Sequence, residues 1–164
     1  MSVLPVVKFP ERVLKTKAKE VSAVTETERG LARDMIDTMY AENGVGLAAN
    51  QIGVLKQIFV AIPEKKGGKE LIFLNPKIMK KKGAVKEFEG CLSVPEFFEP
   101  VKRAKKVWMR AMTLDGETVE VKAEGLHARI YQHEIDHLNG ILFIDRLGIL
   151  KSRLARKKLT QKLT

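Results

Sequence analysis

His133 and His137 stand four residues apart in YQHEIDHLNG (131–140), with Glu134 between them. Four residues is a little over one helical turn, so both imidazoles project from one helix face toward a common point. Leu126, Ile130, His133 and His137 fall at offsets 0, 4, 7 and 11, which is one face of one helix. Two neutral imidazoles placed in this way bind a metal ion, and the intervening Glu reaches a water there as general base. A catalytic ion takes three protein ligands and keeps one position open. The fold must therefore carry a third donor to this helix from elsewhere in the chain.

The two usual protease solutions fail downstream. Gly140 fits the pattern HExxHxxGxxH, but Phe143 stands where the third His would be. No Glu follows Glu134, and beyond the motif the only acid is Asp145. The third ligand is then upstream, where His127, Cys91 and several carboxylates are available. His127 lies six residues before His133, nearly opposite on a helical wheel, so it points away from the ion. Cys91 sits in EGCLSVPE beside Gly90, where backbone can approach the helix closely. A thiolate with two imidazoles leaves a fourth position for water, and the ion would keep the sulfur deprotonated. The competing reading of a lone cysteine is a small buried hydrophobe.

The rest of the pattern predicts an α+β fold, with antiparallel β-sheets packed around a central HExxH-bearing helix, an N-terminal helix and a C-terminal basic helix. TETERGLARDMIDTMYAENG (25–44) is helical, with Thr25 and Glu28 at capping-box spacing and an apolar stripe of Leu31, Met35, Ile36 and Met39. KQIFVAI and ELIFLNP read as strands separated by the turn PEKKGGK. AKKVWMRAMTLDGETVEVKAEG reads as a hairpin turning at Asp115-Gly116. No repeat or linker divides the chain, so residues 1–164 are expected to form one catalytic domain, with 147–164 as the basic helix. Leu147, Leu150 and Leu154 are the expected docking stripe of that helix.

A single cysteine excludes an intrachain disulfide framework. No apolar run is long enough to span a bilayer, and the first residues lack a signal-peptide core, so a cytoplasmic location and no membrane partner are expected. The net charge of +10, with seven Lys and Arg and no acid beyond Asp145, suits an anionic neighbourhood such as nucleic acid. A solvated helix face would account for the tail equally well.

Three stretches, GVGLAANQ (44–51), EGCLS (89–93) and QHEIDH (132–137), resemble the signature motifs of bacterial peptide deformylases, in the family's order and spacing. The likeness extends over essentially the whole chain. It implies removal of the N-formyl group from the N-terminal formyl-methionine of newly made proteins, releasing formate. It also implies Cys91, His133 and His137 as ligands of one divalent ion, Fe²⁺ in the cell, with Zn²⁺, Ni²⁺ or Co²⁺ able to take its place. Glu134 would take the water's proton and return it to the departing amine. The Gln51 amide and the Leu92 backbone N–H would hold the formyl oxyanion. Nascent formyl-Met peptides would be the substrate, and the basic last helix would dock on the ribosome near the exit tunnel.

Val45, Leu126 and Ile130 are expected to line the methionine pocket, with the bare backbone of Gly46 lying alongside the peptide. Gln51, Gly44 and Gly46 have a plainer alternative as turn residues. Glu89 and Asp136 are candidates to orient the imidazoles, with Arg103 as a partner of one of them. Many members carry a basic residue about where Phe98 stands; Phe97 and Phe98 here favour apolar contacts at the mouth, and Arg129 is expected near the pocket. The rival readings are a zinc metalloprotease of the HExxH type and a non-enzymatic ribosome- or RNA-binding module.

Overall fold

A computed structural model describes residues 2–64 and 67–163. Helix α1 (Glu26–Ala41) opens on the expected capping box: the Thr27 N–H donates to the Thr25 hydroxyl, and the Thr25 N–H to the Glu28 carboxylate. Seven strands follow: β1 (Gly46–Ala48), β2 (Ile58–Ala61), β3 (Leu71–Lys82), β4 (Val85–Cys91), β5 (Val94–Arg103), β6 (Lys106–Met112) and β7 (Thr118–Glu124). Helix α2 (Gly125–Leu138) carries the HExxH motif, and α3 (Ile149–Lys162) is the basic tail.

Strands β1-β2-β3-β6-β7 form one antiparallel sheet, and β4 with β5 form a separate hairpin. Strand periodicity divides the sheet's side chains between two cores. Phe59, Ala61, Val107, Met109 and Ala123 point to α2, where they meet Ala128, Tyr131, Ile135 and Leu138. Ile58, Val60 and Leu47 point the other way, to Met35 and Met39 of α1. A third cluster joins Val94 and Val101 of the hairpin to Phe143, Ala155 and Leu159.

Helix α2 is thereby enclosed. Every residue from Ala128 to Leu138 is buried, including Arg129, Gln132, His133, Glu134, Asp136 and His137. Such a polar face persists in the interior only when its groups are paired or hold an ion.

Two expectations are corrected. Strand β3 does not stop at Pro76 but continues to Lys82, through register shifts against β6 at Leu74/Lys77 and Ile78/Lys80. Asn75 takes φ +49 there and its side chain bridges back to Val21, so a bulge absorbs the proline. The docking stripe of α3 is also different: Leu150 is 75% exposed and Leu154 57% exposed, while Ala155 and Leu159 are buried. Only Leu147, before the helix, packs as expected. The ion pair of Arg156 with Asp145, and the guanidinium over the Phe9 ring, turn the Ala155/Leu159 face inward.

Candidate metal centre

Cys91 ends β4, and α2 presents His133 and His137 to it. One donor atom from each of the three residues lies within 4.8 Å of the others. Cys91 Sγ is 3.2 Å from His137 Nε2, and the two Nε2 atoms are 3.1 Å apart. A tetrahedral site with ordinary bond lengths separates its nitrogens by about 3.3 Å and sulfur from nitrogen by about 3.6 Å. The donor set therefore fits one borderline-soft divalent ion.

A neighbouring group orients His133, whereas His137 Nδ1 is buried with no hydrogen-bond partner among the described residues. His133 Nδ1 lies 2.8 Å from Glu89 Oε1, which fixes the tautomer and leaves Nε2 free as a ligand. Arg103 donates twice to Glu89, at 2.8 and 2.9 Å, and once to Asp136 at 2.5 Å. Arg129 donates to Glu89 at 2.5 Å, and Arg146 donates twice to Asp136. The five side chains form a ladder, Arg129–Glu89–Arg103–Asp136–Arg146, buried through Asp136 and exposed at Arg146. Asp136 is thus an inner partner and not a surface acid.

Burial alone raises the Glu89 pKa, but hydrogen bonds from Arg103 and His133 outweigh it and hold the carboxyl at about 2. Burial lowers His137 well below its ordinary value, and the charges of His133 and Arg103 act in the same direction. For His133 burial is overcome by the hydrogen bonds to Cys91 and Glu89, so its pKa stands well above the ordinary value. An ion taking its Nε2 lone pair displaces that proton.

Glu134 sits beside the donors with burial pushing its carboxyl up to about 7. A nearby dication draws that value down again. Its Oε2 is buried with no hydrogen-bond partner among the described residues. Gly46 explains how the carboxylate fits: a Cβ at that position would come within 2.5 Å of Glu134 Oε1. The bare backbone expected to lie beside a peptide thus first of all makes room for Glu134.

The Gln51 carbonyl accepts from the Ala48 N–H at 2.9 Å, and its amide nitrogen reaches Ser93 Oγ at 3.1 Å and Cys91 Sγ at 3.6 Å. Leu92 follows the ligand, and its carbonyl accepts from Lys8 Nζ at 2.7 Å. A cavity of about 610 Å³ opens here, lined among others by Val45, Gly46, Leu126, Ile130, Gln51 and Leu92. Exposed Phe88 and Phe98 stand at its rim. Phe98 also fills the space beside Gly90, which was expected to admit the helix. Phe97 instead turns inward onto Phe143, at 6.2 Å between ring centroids.

His127 is half-buried, set edge-on to Tyr131 away from the donors. Phe143 is buried and stacks on His133, so it occupies a wall position where one protease class has a ligand. Sequence reasoning missed Ser93, Lys8, Phe88, Arg146 and Asn50, whose amide donates to the His137 carbonyl. Asn50 and Ser93 had a visible signal, their places in GVGLAANQ and EGCLS.

A family model described as polypeptide deformylase matches residues 3–153. A peptide deformylase of Thermodesulfovibrio yellowstonii is 42% identical over 164 residues, covering 99% of each chain. A crystal structure of a peptide deformylase from Legionella pneumophila superposes with a TM-score of 0.92 at 40% identity, over 98% of this chain and 95% of that one. The Ehrlichia chaffeensis peptide deformylase in complex with actinonin gives 0.92 at 39% identity, over 99% and 98%.

Proposed function

The chain belongs to the polypeptide deformylase family, and from that membership we propose how its residues carry out the reaction. The activity is hydrolytic removal of the N-formyl group from nascent peptides, and the family is metal-dependent. The observation that carries the residue assignment is the convergence of Cys91, His133 and His137 within 4.8 Å, with the unpaired Glu134 Oε2 beside them.

In this reading Cys91, His133 and His137 hold the ion. A bound divalent cation supplies an acidified water and an electrophile for the formyl oxygen. Glu134 accepts a proton from the attacking water and passes it to the leaving α-amine, acting first as base and then as acid. The Gln51 side-chain N–H and the Leu92 backbone N–H stabilise the formyl oxyanion in this reading, where each such donor contributes about 3 kcal/mol. Ser93 and Ala48 hold the Gln51 amide in one orientation. Val45, Leu126 and Ile130 take the methionine side chain, and Phe88 and Phe98 meet the residues after it. Fe²⁺ is proposed as the native ion, with Zn²⁺, Ni²⁺ or Co²⁺ as substitutes.

Formate release from formyl-Met-Ala tests the assignment. Glu134→Ala is expected to retain the metal and lose about 10²–10⁴-fold in kcat; wild-type turnover with metal bound would refute the role. Cys91→Ser should weaken metal binding or shift metal preference, because a hydroxyl replaces a soft thiolate.

We further propose a cytoplasmic enzyme that docks on the ribosome through α3. No helix among the described residues is long and apolar enough to cross a membrane. Arg153, Lys157 and Lys158 are exposed, beside exposed Leu150 and Leu154. Deleting α3 would also remove Ala155 and Leu159 from the core, so charge reversal is the cleaner test. Arg153, Lys157 and Lys158 changed together to Glu should weaken ribosome co-sedimentation at low salt and leave dipeptide deformylation intact. Undiminished co-sedimentation would refute the docking role.

A further inference from the structure

Trp108, the only tryptophan of the chain, lies outside the site described above. On β6 the side chains of Val107, Met109 and Ala111 are buried against α2, so Trp108 points to the opposite face, where it is half-buried. The strand register sets it in a row: Lys80 of β3 and Lys122 of β7 are its direct cross-strand partners. Their ammonium groups approach the ring centroid at 4.8 and 5.6 Å. The next row on the same face is Lys82, Lys106 and Glu124, and the row on the other side brings Arg110 to Glu120. Lys106 pairs with Glu124 and Arg110 with Glu120. Lys80, Lys82 and Lys122 are exposed and have no ion-pair partner among the described residues.

We propose that this outer sheet face, centred on Trp108 with Lys80, Lys82 and Lys122 around it, binds a single-stranded RNA segment, stacking a base on the indole and holding flanking phosphates on the lysines. The partner follows from the chemistry. A flat β-face with an aromatic ring between cations matches the way unpaired bases are held by sheet platforms. An acidic peptide would use the lysines but not the π-face. Neighbouring strands are about 4.8 Å apart, so the Lys80–Trp108–Lys122 row spans about 10 Å, enough for a base with a phosphate on either side. A base must displace the ammonium groups now over the ring. The two exposed cation–π contacts together are equivalent to about 4- to 25-fold in affinity, against about 5- to 150-fold for a stacked base. Stacking covers this cost, and the freed ammonium groups add their attraction to the phosphates. RNA is favoured over DNA because nascent chains are met at an RNA-rich surface. This face is separate from α3 and does not depend on the docking role proposed for it.

The test uses the metal-loaded full chain, a fluorescein-labelled oligouridylate of eight nucleotides and the intrinsic emission of Trp108. Binding followed by anisotropy should be accompanied by quenching of the tryptophan. With three lysines engaged, affinity should fall about twenty-fold between 50 and 200 mM salt. Trp108→Ala should weaken binding at least five-fold, and Lys80→Glu with Lys122→Glu should abolish it. Both variants should deformylate formyl-Met-Ala at the wild-type rate, which also reports that they fold. Inorganic polyphosphate of equal charge should compete weakly and without quenching. The proposal is overturned by no binding at 50 mM salt, by equal affinity of the Trp108→Ala variant, or by polyphosphate competing as well as RNA. It is also overturned if binding survives Lys80→Glu/Lys122→Glu and is lost only when the α3 cations are reversed, an outcome that leaves the α3 reading standing.

Discussion

Gly46 and Glu134 share one volume, since a Cβ on the glycine would meet the carboxylate at 2.5 Å. Gly46→Ala is therefore expected to push the Glu134 carboxylate off its position. The intruding contact is the far end of a flexible side chain, so stability should change by less than about 1 kcal/mol. Deformylation should nonetheless fall by about 10- to 100-fold, because a displacement of about 1 Å costs that much in a positioned reaction. Steady-state kinetics, with metal content and melting temperature measured alongside, check this: a fall in kcat with both others unchanged is the expected pattern. The roles of Cys91, His133 and His137 could be proposed from sequence because metal ligation constrains residue type and helical spacing together. The reason for Gly46 could not, because a pairwise exclusion across 88 positions leaves no periodicity. Arg146, and the pairing of Arg129 with Glu89 though not its place at the pocket, were hidden for a related reason. Each matters through a single carboxylate on another element, Glu89 and Asp136, and one surface-type residue in a sequence looks like any other.

Helix α1 shows an element whose stability is tied to one carboxylate. Glu28 accepts from the Thr25 backbone and hydroxyl and from Lys56 Nζ at 2.5 Å. The Lys56 bond, then the Thr25 bonds, lower its pKa to about 2. A folded value below the unfolded value of about 4.3 means that the stabilisation is present above that pH and is lost as pH falls toward 2. Glu28→Gln is expected to destabilise the fold by roughly 1–2 kcal/mol at pH 7, with the deficit shrinking below about pH 4. Thermal melts of both proteins from pH 7 to 3 measure it, and a constant difference across the range would count against the assignment. The capping box was legible because its partners are three residues apart. The seating of α3 was not, since Leu150 and Leu154 form a plausible apolar stripe on their own. What decides between faces is Arg156 reaching Asp145 and Phe9, a long-range contact that outranks local hydrophobicity. Strand β3 was cut short at Pro76 because the bulge that tolerates a proline depends on its neighbour β6.

Across the molecule, α2 is the shared wall of the sheet core and the hairpin side, and its polar face is the buried ladder and donor cluster. An ion bound there is held from two separate segments, so it stabilises the whole chain and not one helix. With free metal at about a thousand times its Kd, this linkage contributes about 4 kcal/mol. Removing the ion with a chelator should then lower the melting temperature by roughly 10 °C, with recovery on re-addition; an unchanged melt would place the ion elsewhere. The α+β architecture was legible because a helical stretch, a run of strand-like segments and further helical stretches follow one another along the chain. The enclosure of α2 follows the same reading, which set the HExxH helix at the centre; the way its buried polar residues are paired was not legible, since the partners lie on other elements. That enclosure has a bearing on how the enzyme is itself made. The glycine that makes room for the base, then the thiolate donor, then the two imidazoles with the base come from β1, β4 and α2, in that order of synthesis. While a copy is still being translated, its glycine and cysteine are in place before either histidine exists. A half-made copy therefore lacks the full donor set, and the centre can close only once the whole of α2 has been synthesised.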